Sequence, residues 1–317
     1  GRLEWLDEFA AMAKRHGITF SWTGLLSDIN GPGSHRPLIE QAHQLLADDY
    51  PVVPQTSPLP QEFEFTFDYP LPWERCDWIK PLLKAPPEER AALWRDREFV
   101  NAFRNEELSG FDASLIGWEQ RTVIADAPQD STLNERPLAE VADERGVTPF
   151  DLAVELSVQS ELGTRFRLPV LNFRQDEIAE ILLEPVGVMA FSDAGAHASQ
   201  LCNAHYTTHV LEHWVRETGT LTLEQGVHAL TGRPAEVVDL EVRGRIAEGM
   251  AADIVVFDAD TIRATPLRRV HDLPAGADRI ICEAPGMDTV IVNGTVIRDR
   301  GEDVAGDVLP GHMLRRQ

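Results

Sequence analysis

Residues 244–258 read GRIAEGMAADIVVFD, and the character of the sequence changes across this stretch. Two further β-branched runs follow at 288–292 and 295–297, joined by Asn293-Gly294. An Asn-Gly pair between two apolar runs is typical of a two-residue β-hairpin. The sequence therefore predicts a small β domain at the carboxyl-terminal end of the chain, over residues 239–317.

Before this stretch, helical and β-rich patterns alternate at short spacing. A helical pattern at 2–16 precedes a β-rich run at 18–22, and a second helix at about 36–48 precedes a strand at 51–54. The same reading gives helices at 136–145, 149–161, 175–183, 204–217 and 223–230 and a buried-type strand at 186–191. This alternation predicts a parallel α/β sheet.

Residues 56–135 interrupt the alternation. They are rich in proline and in aromatic residues, among them Phe63, Phe65 and Trp73. A segment of this length between two regular elements is typical of an insertion that covers a site. We therefore predict a lid insertion at about 56–135, and the alternative is an ordinary excursion packed on the outside of the domain.

The composition restricts the class of protein and its partners. Apolar residues make up 43% and charged residues 26% of the 317 residues, which is typical of a globular chain. The formal net charge of −23 argues against nucleic acid and anionic membranes as partners. Cys76, Cys202 and Cys282 are far apart and odd in number, which favours a reducing compartment, and we expect a cytoplasmic protein.

Asp193 is the first candidate for chemistry. It follows the buried-type strand at 186–191, and in α/β barrels catalytic groups lie where strands end. A carboxylate there can take a proton from water and pass it to a leaving amine. The alternative is that Asp193 only caps the next helix, and its position alone does not separate the two interpretations.

The histidines form a second candidate group. His205, His209 and His213 recur every four residues, so a helix would place them along one face. Two imidazoles one turn apart can bind zinc, but the intervening residues do not form an H-E-x-x-H motif. We therefore expect these three histidines to have a packing role.

Residues 244–258 resemble a signature of the metal-dependent amidohydrolase superfamily, in which the chain leaves a barrel and enters a β-sandwich. Residues 191–197, which read FSDAGAH, are similar to the end of the eighth barrel strand in the D-aminoacylase branch, the N-acyl-D-amino-acid deacylases. Residues 53–55 are similar to the end of its seventh strand. The likeness spans the chain and implies an α/β fold: the second half of a TIM-like (β/α)8 barrel over 1–238, then part of a small β-sandwich domain over 239–317.

The resemblance implies metal-dependent hydrolysis of a non-peptide amide C–N bond, in an N-acyl-D-amino acid or a similar small molecule. In this family one or two zinc ions activate water, and the aspartate of the eighth strand binds metal and shuttles the proton. Asp193 is the matching position, both as catalytic residue and as metal ligand. Gln55 and Asn172, each near a strand end, and His197 are expected to contact the substrate.

The sequence also departs from the family pattern. In the family, the first barrel strand carries an H-x-H pair and the middle of the barrel carries a bridging metal ligand, and the resemblance finds neither region among residues 1–317. Ile18–Thr23 is similar to the sixth strand but contains no histidine. We therefore expect most zinc ligands on a missing amino-terminal half or a covering chain. A homo-oligomer would also cover exposed sheet surface. The chain is then either a fragment or a naturally short form.

Two other functions stay open at this stage. The first is a non-catalytic or metal-free relative that acts as a binding or scaffold protein, favoured by the missing histidine of the sixth strand. The second is a different reaction of the superfamily, such as hydrolysis of a cyclic amide or an imine. Arg174 and Arg216 could bind an anionic substrate, but we expect both to form surface contacts or salt bridges.

Overall fold

A computed structural model describes residues 5–108, 114–304, 306 and 309–314. The α-helices are α1 (Leu6–His16), α2 (His35–Ala47), α3 (Lys80–Lys84), α4 (Pro87–Leu93), α5 (Arg97–Arg104), α6 (Trp118–Arg121), α7 (Leu138–Arg145), α8 (Pro149–Gln159), α9 (Gln175–Leu183), α10 (Tyr206–His209), α11 (Leu223–Leu230) and α12 (Gly232–Val237). A π-helix, Val210–Glu217, continues α10. The β-strands are β1 (Phe20–Thr23), β2 (Val52–Thr56), β3 (Gln61–Thr66), β4 (Val123–Asp126), β5 (Arg136–Pro137), β6 (Arg165–Leu171), β7 (Val188–Met189), β8 (Ile254–Phe257), β9 (Arg268–Val270), β10 (Arg279–Ile281), β11 (Met287–Val292), β12 (Thr295–Asp299) and β13 (Glu302–Asp303).

Three strands form a parallel sheet in the order β1-β2-β7. Phe20 pairs with Val52, and Gln55 pairs with Val188. A core on this sheet contains residues of the strands, of the flanking helices and of the loop after β1, namely Leu6, Ala10, Trp22, Leu25, Ile39, Leu45, Val52 and Ile181. The parallel α/β arrangement predicted from the alternation is therefore confirmed for these strands.

Local sequence explains where several helices begin and end. Gly17 ends α1 with a φ of 62°, a left-handed conformation that glycine adopts without steric cost. The Thr148 side chain accepts a hydrogen bond from the Asp151 nitrogen at the start of α8. Thr222 and Gln225 form a capping box on α11. Thr148 and Thr222 therefore cap the helices that follow them.

Residues 60–173, with 199–201, form one of two compact units, and the other described residues form the second. The smaller unit contains an antiparallel sheet in the order β3-β6-β4-β5. One face of this sheet carries Phe65, Phe67 and Phe166, which pack in an aromatic core with Trp73 and Trp118. The sequence predicts the end of the insertion at 135, but β6 pairs with β3 and extends the unit to 173. A role as a lid remains a prediction.

The carboxyl-terminal residues form an antiparallel sheet in the order β13-β12-β11-β8. Asn293 and Gly294 form the turn between β11 and β12 with φ values of 47° and 80°, so the predicted hairpin is confirmed. A separate two-stranded ribbon pairs β9 with β10. The strands β8, β11, β12 and β13 contain no fully buried residue, so the faces of this sheet are only partly covered. Among the helices that the structure describes, none is long and apolar enough to cross a membrane.

Candidate active site at the end of the parallel strands

The candidate site lies where β2 and β7 end. Beyond β7, the Phe191 nitrogen donates a hydrogen bond to the Thr56 carbonyl at 3.2 Å, so the chain stays beside β2 for two more residues. Ser192 and Asp193 come next. Because the carboxyl ends of parallel strands meet at one edge of a sheet, this is the edge at which α/β enzymes place their catalytic groups.

Asp193 occupies a turn, and no helix follows it directly. The Ala196 nitrogen donates to the Asp193 carbonyl at 3.0 Å, and the next helix begins only at Tyr206. Ser192 closes the base of the loop, because its hydroxyl donates to the Asn203 carbonyl at 3.3 Å. The interpretation of Asp193 as a helix cap is therefore wrong. Its side chain is half-buried, and a catalytic role for it stays a prediction.

Gln55 is held by side chains of the neighbouring strand. Its Nε2 donates to the Ser21 hydroxyl at 3.1 Å, and the Thr23 hydroxyl donates to its Oε1 at 3.4 Å. This pair of contacts fixes the amide at the end of the parallel sheet. Its predicted contact with substrate is not tested by these bonds and stays a prediction.

The structure places the other two candidate residues differently. His197 lies on the same loop as Asp193, is exposed, and has a φ of 48°. Asn172 belongs to the smaller compact unit, and its side chain is almost fully buried, with a relative exposure of 1%. Asp193 and His197 thus share one loop, and substrate binding by either His197 or Asn172 stays a prediction.

A divalent metal needs about three or more protein ligands in a stable site. Over residues 5–108, 114–304, 306 and 309–314, no group of three His, Cys, Asp or Glu side chains could hold such an ion. At the end of β1, Thr23 stands where the resemblance led us to look for histidine. The described residues therefore do not fit a metal centre by themselves, and Asp193 would be one ligand of an incomplete set.

The three spaced histidines pack against one another along α10 and the π-helix. The rings of His209 and His213 stack with centroids 4.9 Å apart. His213 contacts Glu217 through Nδ1 at 2.8 Å and Gln175 through Nε2 at 3.2 Å, and these contacts agree with the predicted packing role, which stays a prediction. Burial, together with the neighbouring His213 and His205, lowers the pKa of His209 to about 3, and this ring is neutral at pH 7.

The structure contains a buried polar network that was not predicted from the sequence. Glu177 on α9 is 5% exposed and accepts hydrogen bonds from the nitrogens of Gly33, at 2.7 Å, and Asp28, at 3.2 Å. His35, which is fully buried, lies between Glu177 and Glu180. This network fixes the loop that follows β1. A glutamate in the first turn of an amphipathic helix gave no signal of burial.

The two arginines considered as anion-binding groups have protein partners. Arg174 forms an ion pair with Asp28 at 3.2 Å, beside the buried network. Arg216 donates to the carbonyls of Ala259 and Ile262, at 3.1 and 2.6 Å. The structural interpretation of both residues is confirmed.

Comparisons with known proteins agree on one family. The amidohydrolase family model matches residues 98–298. An N-acyl-D-glutamate deacylase of Alcaligenes xylosoxydans xylosoxydans is 39% identical over 114 residues, which are 34% of this chain and 20% of that protein. An uncharacterized protein of Mycobacterium tuberculosis is 30% identical over 182 residues, 54% of this chain and 29% of that protein.

The solved structure of a D-aminoacylase has the same fold. It matches with a TM-score of 0.51 and 20% identity over 95% of this chain. This chain spans 51% of that protein, and its alignments cover about a third or less of the curated relatives. The similarity in fold therefore extends over nearly all of this chain, and each comparison covers only part of the related protein.

Proposed function

Because the chain belongs to the amidohydrolase family, we propose that it contributes Asp193 to the hydrolysis of a non-peptide amide C–N bond. The proposed substrate is an N-acyl-D-amino acid or a similar small molecule. Two relatives support this class, one named an N-acyl-D-glutamate deacylase and one named a D-aminoacylase. The likeness to the latter covers 56% of this chain.

The position of Asp193 carries the proposal. It follows the extension of β7 at the carboxyl edge of the parallel sheet, beside Thr56 of β2, and it caps no helix. The turn at Ala196 fixes its backbone, and its side chain is half-buried. A carboxylate in this position can face a substrate that binds over the strand ends.

Asp193 has a defined chemical task in this reaction. Its carboxylate oxygen accepts a proton from the attacking water as the new C–O bond forms. The same oxygen then donates that proton to the leaving nitrogen as the C–N bond breaks. General acid–base catalysis of this kind contributes about 10²–10⁴-fold to the rate.

We also propose how the chain fits into a complete enzyme. The strands β1, β2 and β7 would be the later strands of a TIM-type barrel over residues 1–238, and the sheet of β8, β11, β12 and β13 part of a β-sandwich over 239–317. The metal ligands, for one or two divalent ions such as zinc, would come from an amino-terminal half or a covering chain. The incomplete ligand set among the described residues and the partly covered sheet support this arrangement.

A second candidate function is a non-catalytic relative that binds or supports another molecule. Thr23 at the end of β1 and the incomplete ligand set favour it. An assay separates the two functions. The complete protein, with added zinc, is tested for amine release from N-acetyl-D-glutamate and from N-acetyl-L-glutamate. Turnover of the D-compound supports the enzyme, and binding without turnover supports the non-catalytic relative.

A further inference from the structure

The loop that carries Asp193 and His197 is hydrogen bonded to the carboxyl-terminal ribbon. The Ile280 nitrogen in β10 donates to the Ala198 carbonyl at 2.8 Å. Ile280 lies opposite Arg269 of β9. In an antiparallel pair, residues alternate between those that bond to the partner strand and those whose N–H points away from it. Ile280 is of the second kind, so its bond to Ala198 costs the ribbon no hydrogen bond.

Ion pairs hold the ribbon itself in one conformation. Arg279 makes two hydrogen bonds to the Asp272 carboxylate, both 2.7 Å long. Arg269 pairs with Asp278 in the same hairpin. A bidentate arginine–carboxylate pair fixes orientation as well as distance. One ion pair therefore joins β9 to the turn between the two strands, and another joins β10 to the same turn.

Cys202, near the other end of the loop, is influenced electrostatically by groups of the ribbon. Burial raises the pKa of the Cys202 thiol, and the Ala204 nitrogen and the nearby Arg279 guanidinium partly oppose that rise. Burial also raises the pKa of the Cys282 thiol, two residues beyond Ile280, and the Cys202 thiol adds to this rise. The loop is thus hydrogen bonded to β10 at Ala198, and Cys202 is a thiol of the same loop that can report on this bond.

The loop needs such support because of its backbone. Gly195 has a φ of 88° and His197 a φ of 48°. A non-glycine residue in the left-handed region is held there by its surroundings, at a cost of about 1–3 kcal/mol. Contacts from outside the loop therefore select this conformation, and the bond from Ile280 is one residue away from His197.

We propose that Ile280, supported by the ribbon of β9 and β10, is a positioning residue for Asp193. The carboxyl-terminal β segment then takes part in catalysis by holding the loop that carries the proton shuttle. This inference rests on the proposed function for its catalytic consequence, but the anchoring itself does not. One backbone hydrogen bond contributes about 1 kcal/mol, which corresponds to about a five-fold change in the population of the anchored loop.

The test compares Ile280→Pro with Ile280→Ala. Both variants lose the isoleucine side chain, but only the proline lacks the N–H that binds Ala198. The first readout is the rate at which iodoacetamide alkylates Cys202, located by peptide mass spectrometry. We expect this rate to be about five-fold or more higher in Ile280→Pro than in Ile280→Ala. Equal rates in the two variants would overturn the proposal.

Two controls guard against a folding defect. Cys76 is buried, with a relative exposure of 6%, and belongs to the other compact unit, so its alkylation reports loss of structure. If Cys76 also reacts faster in Ile280→Pro, Asp278→Asn takes its place, because it loosens Arg269 of the same hairpin without changing the backbone. Asp299→Asn, on an exposed strand residue, is its matched control. Faster alkylation of Cys202 in Asp278→Asn alone supports the anchoring, and no difference contradicts it.

The second readout is catalysis by the complete enzyme. We expect kcat to be about five-fold lower in Ile280→Pro than in Ile280→Ala, with KM changed less than about two-fold, because proton transfer and not binding is affected. A rise in KM with unchanged kcat would contradict positioning of Asp193. If no form of the enzyme turns over and the Cys202 rates still differ, the proposed function fails and the anchoring stands.

Discussion

The carboxylate of Glu177 accepts a hydrogen bond from the backbone nitrogen of Gly33 at 2.7 Å, across 144 positions of the chain. Its other oxygen accepts from the Asp28 nitrogen at 3.2 Å. One buried side chain of α9 thus satisfies two backbone donors in the loop that follows β1. That loop begins where β1 ends, so Glu177 fixes the backbone that follows this strand of the parallel sheet.

Replacing Glu177 with alanine should destabilise the protein. The change leaves two backbone N–H groups without an acceptor, and we expect the free energy of unfolding to fall by about 2–4 kcal/mol. Glu177→Gln keeps one carbonyl oxygen and should cost less. Urea unfolding measures the free energy of unfolding of the native protein, Glu177→Ala and Glu177→Gln. The control is Asp176→Ala, an exposed neighbour that should change the free energy by less than about 1 kcal/mol, and an equal loss in both alanine variants would contradict this account.

Trp214 offers a second test of packing near the strand ends. Its ring is 2% exposed, and its Nε1 donates to the Pro58 carbonyl at 2.9 Å, just beyond β2. Trp214→Phe keeps an aromatic ring and removes the donor, and we expect a loss of about 1–3 kcal/mol in the free energy of unfolding. Trp5→Phe, at a site 59% exposed, should have almost no effect. Similar losses in both variants would show that the hydrogen bond is not the cause.

The lowered pKa of His209 should make the free energy of unfolding depend on pH. Its pKa falls from 6.5 to about 3 on folding because of burial and of the neighbouring His213 and His205. Since the unfolded chain binds the proton more readily, stability is full above pH 6.5 and is lost as the pH falls towards 3. Between pH 7.5 and 5 this residue should account for a loss of about 2 kcal/mol.

The measurement is the free energy of unfolding of the native protein, His209→Gln and His228→Gln at both pH values. His209→Gln should lose less stability on acidification than the native protein. His228→Gln serves as the control, because the His228 side chain is 60% exposed. If both variants follow the native protein, the buried histidine does not cause the acid sensitivity.

The parallel strands and the helix caps could be predicted because their signals are local. Thr148 and Thr222 precede helices within a few residues, and Asn293-Gly294 forms its turn alone. Asp193 could be located in the same way, because it directly follows an apolar strand. These features depend on neighbours in the chain and hardly on tertiary contacts.

The antiparallel sheet of the smaller unit was missed for two physical reasons. Residues 61–67 read QEFEFTF, which alternates as a strand should, but the flanking prolines suggested irregular structure. In β6, Pro169 lies within the strand and pairs with Glu62, next to a shift in register. Proline is tolerated in a sheet at such an irregularity, so its presence did not exclude a strand.

The contacts that fix the loop after β1 and the Asp193 loop could not be predicted from the sequence, because they join distant segments. Glu177 and Asp28 lie 149 positions apart, and the bond from Ile280 to Ala198 joins the β ribbon to the Asp193 loop. Neither pair has a pattern that periodicity could reveal. Only the fold brings these groups together, and with them the support for Asp193.

The rate of amide hydrolysis by Asp193→Asn tests the central claim most directly. Asparagine keeps the size of the side chain but cannot accept the proton, so kcat of the complete enzyme on N-acetyl-D-glutamate should fall about 10²–10⁴-fold. Asp288→Asn, on an exposed residue of β11, is the matched control and should keep its rate, with thermal unfolding showing that both variants are folded. If folded Asp193→Asn hydrolyses the substrate as fast as the native enzyme, Asp193 is not the proton shuttle.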